Sequence, residues 1–324
     1  MKVFITGANG LLATNIIAQL LAKDYDVVGL IRDPRKFLLP AHPRLQLITG
    51  DITDAQVVAH AATGCDFVIH CAATTSQHLL RYSDYARVNT TGTTHVVAAA
   101  EKAGAKRLVY VGTANTFGYG PIESPGNENL PPREPFVNAW YAKSKLAAQH
   151  NVLAAQSGVP VVIVSPTFMI GPFDGKPSSG AIIRMGYGKR IICYPPGGKN
   201  FVHVSDAARG TIAAMENGNP GEAYLLAGEN LSYKAFFRLL AKRTDQRPIL
   251  IGIPKVLLIG LGYIGDLLRA VGIPTALSST NTKILCVHNY YSNAKACQQL
   301  DVQFLPVSQA IDDAVDWFRQ QQML

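Results

Sequence analysis

Cysteine is scarce in this sequence. The five thiols, Cys65, Cys71, Cys193, Cys286 and Cys297, show no close paired spacing and no flanking histidines. Neither a disulfide framework nor a zinc site is expected, and no metal is assigned. Long apolar runs are also missing. The longest, "VLLIGLGYIG" from Val256 to Gly265, is interrupted by three glycines and followed by Asp266. It is too short to span a bilayer and reads as a buried or interfacial helix. In place of a cleavable leader, "MKVFITG" begins a hydrophobic strand almost at Met1, so a cytoplasmic location is expected. The net charge of +8 is not gathered into dense basic runs with interleaved aromatics. It reads as a solvated basic surface, with no nucleic-acid partner.

Hydrophobic residues at 48% and charged residues at 16% exclude disordered and fibrous classes. A length of 324 residues accommodates one large α/β domain with a smaller companion. Strand-like runs "KVFIT", "DVVGLI", "LQLI", "DFVIH", "RLVYV" and "VPVVIVS" alternate with helical patterns at Gly10 to Leu21, Asp54 to Ala61, Asp84 to Ala103 and Asn138 to Gln156. That alternation predicts a doubly wound parallel sheet covered on both faces, with ligand beyond the carboxyl ends of its strands. After Pro166 the rhythm shifts to Gly/Pro-rich pieces and helices at Ser205 to Met215, Ser232 to Lys242, Lys255 to Ala270 and Val307 to Gln321. The expected division is a sheet domain over 1–165 and a smaller, mostly helical substrate region over 166–324. One strand near 222–227, "EAYLLA", returns to the main sheet.

The first strand leads into "TGANGLLA", Thr6 to Ala13. Gly7 and Gly10 permit a tight turn and close backbone approach, and the helix that follows offers its amide end to a pyrophosphate. The spacing is G-x-x-G-x-x-A, so the loop by itself is a weak signal; its place between strand and helix strengthens it. In "NAWYAKSKLAAQ", Tyr141 and Lys145 are four apart, which places them on one face of a helix.

These pieces, with "GDITD" at 50–54, "HCAA" at 70–73, "VNTTGT" at 88–93, "GP" at 171–172 and "FVHVSDAARG" at 201–210, occur in an order that resembles the extended short-chain dehydrogenase/reductase family. The resemblance runs over nearly the whole chain. It is nearest the dihydroflavonol reductase-like and 3β-hydroxysteroid dehydrogenase-like branch of the NAD-dependent epimerase/dehydratase superfamily. It implies a Rossmann domain binding NAD(P) and a catalytic group of Thr113, Tyr141 and Lys145, with Asn89 supporting a proton-relay water or satisfying backbone groups. Tyr141 would exchange a proton with the substrate oxygen, Lys145 would favour its phenolate, and Thr113 would hold that oxygen. Lowering a phenol by about three units requires roughly 4 kcal/mol. The resemblance further implies cofactor contacts from Gly7, Asn9, Gly10, Leu11, Leu12, Asp51, Ile52, Cys71, Ala72, Ala73 and Pro166, besides Tyr141 and Lys145. Asp51 has the alternative of a turn or cap aspartate, and His70 reads as a packed strand end.

An NAD-specific site usually carries an acidic residue at the end of the second strand, where this chain has Ile31 followed by Arg32. Arg32 suits a 2′-phosphate, with Arg35 or Lys36 adding to the field, so NADP(H) is favoured and NAD(H) remains possible. Asp33, directly before Pro34, reads as a turn residue. The proline-rich loop Gly118 to Val137 is expected to form one wall of the substrate mouth and Gly171 to Gly180 the other. Small-residue stretches in the helices 84–103 and 138–157 predict a homodimer, although packing inside one monomer explains them equally well. Ser165-Pro166 stands where sugar-nucleotide members often have Arg-Pro. The reading is an NADP-preferring oxidoreductase acting on a small-molecule carbonyl or secondary alcohol. The alternatives are a sugar-nucleotide epimerase or dehydratase with tightly bound NAD(P), and a non-catalytic dinucleotide sensor.

Overall fold

The computed structural model describes residues 1–324. Six parallel strands open the chain: β1 Lys2–Thr6, β2 Asp26–Ile31, β3 Leu45–Thr49, β4 Phe67–His70, β5 Arg107–Val111 and β6 Val161–Pro166. Between them lie α1 Leu11–Ala22, α2 Ala55–Ala62, α3 Tyr82–Ala86, α4 Gly92–Lys102 and α5 Trp140–Ala154. Most of these strands are continuous Val/Ile/Leu runs because their central residues are buried on both sheet faces.

The second half adds β7 Phe168–Ile170, α6 Ala181–Gly186, β8 Ile191–Tyr194, β9 Gly198–His203 and α7 Val204–Asn217. There follow β10 Ala223–Leu226, β11 Glu229–Ser232, α8 Tyr233–Arg243, β12 Ile249–Gly252 and α9 Lys255–Ala270. The chain ends with α10 Ser279–Leu285, β13 His288–Asn289, α11 Ala294–Leu300 and α12 Val307–Gln320.

The main sheet has seven strands in the order β10-β6-β5-β4-β1-β2-β3. Its direction of winding reverses between β1 and β4, so the helices that follow these two strands pack on opposite faces and leave a crevice at the strands' carboxyl ends. One core cluster joins α1 and α7 to the sheet through residues such as Ile16, Val109 and Ile212. A second, on the other face, joins α2, α4 and α5 through Val58, Val96 and Val152. The returning strand 222–227 is β10, parallel to β6. Beyond residue 165, α7 and β10 sit in these sheet layers, while α6, α8 and α12 close a separate core in which Phe201 and Phe236 stack at 4.4 Å.

The region 166–324 is mostly helical, as expected, and besides β10 it holds six short strands, β7, β8, β9, β11, β12 and β13. None exceeds six residues and several abut glycine or proline, so they carry little alternating pattern. The helix expected over 84–103 runs from Tyr82 to Lys102 with right-handed helical backbone throughout and one change of winding inside it. Arg87–Thr91 forms a wide π turn between α3 and α4 with Asn89 at its centre, a form that recurs at functional sites. No helix is long and apolar enough to cross a membrane. "VLLIGLGYIG" lies within α9 but is not a buried helix: its inner face is Leu258, Gly262 and Gly265, and most of the remaining apolar residues are exposed.

Candidate active site

Gly7 ends the first strand with φ of 70°, and a Cβ there would lie 2.9 Å from the Ala72 Cα. Glycine is thus required both by conformation and by the close approach of the β1 and β4 loops. The Gly10 N–H donates to the Gly7 carbonyl at 2.8 Å, and Gly10 caps α1 without a side-chain acceptor. The first-turn amides of Leu11 and Leu12 are therefore left for a ligand. Asn9, Gly10, Leu11 and Leu12 line one side of a cavity of about 680 Å³, with Cys71 and Ala73 among its other walls. An adjoining cavity of about 160 Å³ extends it past Ala72 to Arg32, Asp51 and Ile52.

At the other end the same large cavity reaches Thr113, Tyr141, Lys145 and Pro166. Thr113 follows β5 and caps the short turn Ala114–Thr116, while Tyr141 and Lys145 project from successive turns of α5. Lys145 is buried; its ammonium donates to the Val111 carbonyl at 2.7 Å and lies 4.1 Å above the Tyr110 ring. Burial pushes this lysine down to about 7. Burial also pushes the Tyr141 phenol up to about 12, with a hydrogen bond to Thr113 acting in the opposite direction. This is the reverse of the lowered phenol expected from the lysine charge. The ammonium here is directed at Val111 and Tyr110, and desolvation prevails.

Behind the cleft, polar groups form a closed chain. The Ala72 N–H donates to Thr6 Oγ1 at 3.1 Å, and Thr6 Oγ1 lies 2.7 Å from His70 Nδ1. His70 Nε2 is 2.9 Å from Thr93 Oγ1, which donates to the Asn89 carbonyl at 2.6 Å. Because the Thr93 hydrogen is committed to Asn89, the imidazole is the Nε2–H tautomer and accepts from Thr6 at Nδ1. Burial holds it neutral, at about 3. The Asn89 amide accepts from the Thr74 N–H at 2.7 Å and donates to the Thr74 carbonyl and to Ser144 Oγ at 3.1 and 2.9 Å. Ser144 in turn donates to the Tyr141 carbonyl at 2.8 Å. The Asn89 side chain thus ties the loop after β4 to the Tyr141 turn. Ser144 was missed in the sequence because only its position one turn from Tyr141, facing the π turn, reveals its use.

Arg32 is exposed on the cleft wall and forms no ion pair. Asp33 caps the turn Pro34–Lys36 and binds Arg35 at 2.9 Å and Lys36 at 3.1 Å. The added field expected from Arg35 and Lys36 is therefore offset by their own carboxylate. Asp51 accepts from the Thr53 N–H and hydroxyl at 2.8 and 2.7 Å. Burial works to raise its carboxyl, but these bonds and nearby Arg32 and Arg87 hold it below the ordinary range. It has both the turn role and a place on the cleft wall.

Of the two walls expected at the mouth, Asp174 to Ser179 is present, held by Asp174 accepting from the Gly180 N–H at 2.8 Å. Loop 118–137 is not part of this cavity. Tyr119 and Phe136 are buried in a side cluster, and Gly120 and Gly126 bridge to Tyr290 and Tyr291. Its place is taken by Thr74, Thr75, Ser76 and His78. Lys199, not foreseen because β9 carried no strand signal, borders a cavity of about 70 Å³ shared with Thr113. It has no carboxylate partner, and burial lowers it to about 8.

The NAD dependent epimerase/dehydratase family matches residues 3–227. The chain belongs to that family. Within it, the chain is 28% identical to a candidate dihydroflavonol 4-reductase of Synechocystis sp., over 98% of this chain and 94% of the other. It is also 28% identical to a 3 beta-hydroxysteroid dehydrogenase/Delta 5-->4-isomerase of Mycobacterium tuberculosis, over 98% and 90%. The crystal structure of gox2253 superposes with a TM-score of 0.85 at 26% identity, covering 99% of each chain. The protein is an NAD(P)-dependent oxidoreductase of the extended short-chain dehydrogenase/reductase type. The residues present fit the dinucleotide: an uncapped helix N-terminus beside two glycines suits a pyrophosphate, and Asp51 and Ile52 lie on the wall beyond it.

Proposed function

We propose that this family member is an NADP(H)-preferring oxidoreductase that interconverts a carbonyl and a secondary alcohol. One observation carries the reading: Thr113, Tyr141 and Lys145 open onto the same cavity as Gly7, Gly10 and Arg32. A nicotinamide bound along it supplies or accepts the hydride. In the reducing direction the Thr113 hydroxyl holds the substrate oxygen. Tyr141, protonated at neutral pH, gives it a proton as negative charge develops. The phenolate left behind takes a proton from the Lys145 ammonium one helical turn away, and the lysine, which titrates near neutrality, is reprotonated from solvent. Asn89 and Ser144 position the Tyr141 turn. Lys199 offers a second anchor, for an oxygen on the substrate next to the reacting carbonyl.

The preference for NADP(H) is supported by Arg32, which is exposed and uncommitted at the cleft, and by the commitment of Asp33 to its own turn. A buried ribose-binding carboxylate is absent from the end of β2, where Ile31 stands. We propose a homodimer through the exposed edges of α4 and α5, Thr94 and Ala98 with Lys143 and His150. Ala99, Ala100 and Ala148 are already used inside the monomer.

The test is to identify any nucleotide that copurifies, then assay carbonyl and alcohol compounds by nicotinamide absorbance with NADPH and NADH separately. Turnover that consumes added NADPH supports the reading. Turnover of a nucleotide sugar with retained NAD(P) and no net absorbance change would replace it with epimerisation.

A further inference from the structure

The outer face of α9 inverts the pattern of a surface helix. At 100° per residue, Tyr263, Val256, Leu267, Gly260, Val271, Ile264, Leu257 and Leu261 occupy one stripe of roughly 160° that carries no charge. All are exposed, Val256 by 84% and Leu267 by 68%. The inner face is glycine where bulk is forbidden: a Cβ on Gly262 would lie 2.2 Å from Thr282 Oγ1, and one on Gly265 2.2 Å from the Leu277 carbonyl. The polar residues of the helix turn inward as well. Asp266 accepts from the Ser279 N–H at 3.1 Å, and Arg269 donates to the Thr275 carbonyl at 2.8 Å. Both line a cavity of about 180 Å³ that reaches Tyr141. Strand β12, which leads into the helix, and its partner β8 expose Ile191, Ile249 and Ile251 too. An exposed apolar stripe such as that of α9 marks an interaction site.

The charge around it selects the partner. Lys255 begins α9, and the Lys283 ammonium lies 6.0 Å from the Tyr263 ring centroid. Lys189, Arg190 and Arg247 stand at the adjoining ends of β8 and β12, where the Ile249 N–H donates to the Arg190 carbonyl at 2.9 Å. None of these five cations has an ion-pair partner. On these elements and the loops that join them the carboxylates are Asp245 and Asp266, and Asp266 faces inward. A two-fold contact through this face would set unpaired cations against one another. An anionic bilayer meets both the apolar stripe and the basic rim.

We propose that α9 lies in the headgroup boundary of an anionic membrane, its apolar stripe in the acyl region and the basic residues at the phosphates. The inner side of the helix then faces the cavity that reaches Tyr141. This goes beyond the oxidoreductase reading and does not depend on it, because its test reads vesicle binding and not turnover.

The test is flotation of the full chain with vesicles of phosphatidylcholine alone or with about 30% phosphatidylglycerol. The protein is expected to float with the anionic vesicles roughly tenfold better than with neutral ones, and to be released in part by about 0.5 M salt. A double variant Ile264→Asn, Leu267→Asn is expected to lose roughly tenfold or more of this binding with its circular dichroism unchanged. Lys255→Glu with Lys283→Glu is expected to lose the preference for anionic vesicles. Absence of binding to either vesicle overturns the proposal. So does a dimer in light scattering that the double variant converts to monomer, since the stripe is then covered by a second copy.

Discussion

Tyr110 holds Lys145 at both ends: its ring lies 4.1 Å beneath the ammonium, and its hydroxyl donates to the Lys145 carbonyl at 3.2 Å. Tyr110 is completely buried in β5, so the position of the α5 lysine is set by the sheet beneath it. Tyr110→Phe keeps the ring and loses the hydroxyl bond. It is expected to lower unfolding free energy by about 1 kcal/mol while leaving turnover nearly unchanged. Tyr110→Leu removes the ring face, which contributes about 2 kcal/mol to a desolvated cation. The lysine, already at about 7, then titrates lower and the basic limb of the pH profile for kcat moves to lower pH. Denaturant titration and a kcat profile check the pair; identical profiles for both variants would contradict it.

Asn89→Ala strands the Thr74 N–H and carbonyl and takes from Ser144 Oγ the donor it accepts from, leaving only its bond to the Tyr141 carbonyl. Unpaired buried groups of this sort cost about 1–3 kcal/mol. We expect a corresponding loss of stability and a fall in kcat larger than any change in KM. Ser144→Ala is expected to lower kcat more mildly. A fall in stability with kcat unaltered would make Asn89 structural only.

His70 sets an acid limit on stability. Its native value of about 3 lies below the ordinary 6.5, so between these values the unfolded chain binds the extra proton. The stabilisation is full above pH ~6.5 and is lost as pH falls toward ~3, by on the order of 4–5 kcal/mol. Lys145 acts in the alkaline range. With its native value lowered from 10.5 to about 7, stability rises as pH is raised across that interval. Unfolding midpoints of the ligand-free protein measure both, and His70→Gln is expected to flatten the acid limb.

Arg32→Ala is expected to weaken NADPH binding by about 1–3 kcal/mol, the range for a charged hydrogen-bond partner, and to leave NADH binding nearly unchanged. Calorimetric titration of both cofactors separates this from a general loss of the site. Equal losses, or a wild-type preference for NADH, would show that Arg32 does not read a 2′-phosphate.

The sheet was legible because its strands are buried on both faces and so appear as unbroken apolar runs, and because Gly7 answers a steric need that only glycine meets. Tyr141 and Lys145 were legible from helical spacing. What escaped depends on partners distant in sequence. Ser144 matters only through Asn89 on the π turn. Lys199 matters through a six-residue strand that pairs with β7, β11 and β13. Loop 118–137 was misplaced because length and proline content do not show which side of the chain it packs on; Tyr119 and Phe136 bury it against Tyr291. The direction of the Tyr141 shift also escaped, since it is set by desolvation and not by the i, i+4 neighbour.

The central claim is that the Tyr141 hydroxyl transfers the proton while the rest of the cleft binds. The direct measurement is a single-turnover reaction of wild type and Tyr141→Phe with NADPH and an accepted carbonyl substrate, paired with NADPH affinity measured on both proteins. The account predicts a rate at least roughly a hundredfold lower in the variant with nucleotide affinity almost unchanged. A near-normal hydride-transfer rate in Tyr141→Phe would contradict it.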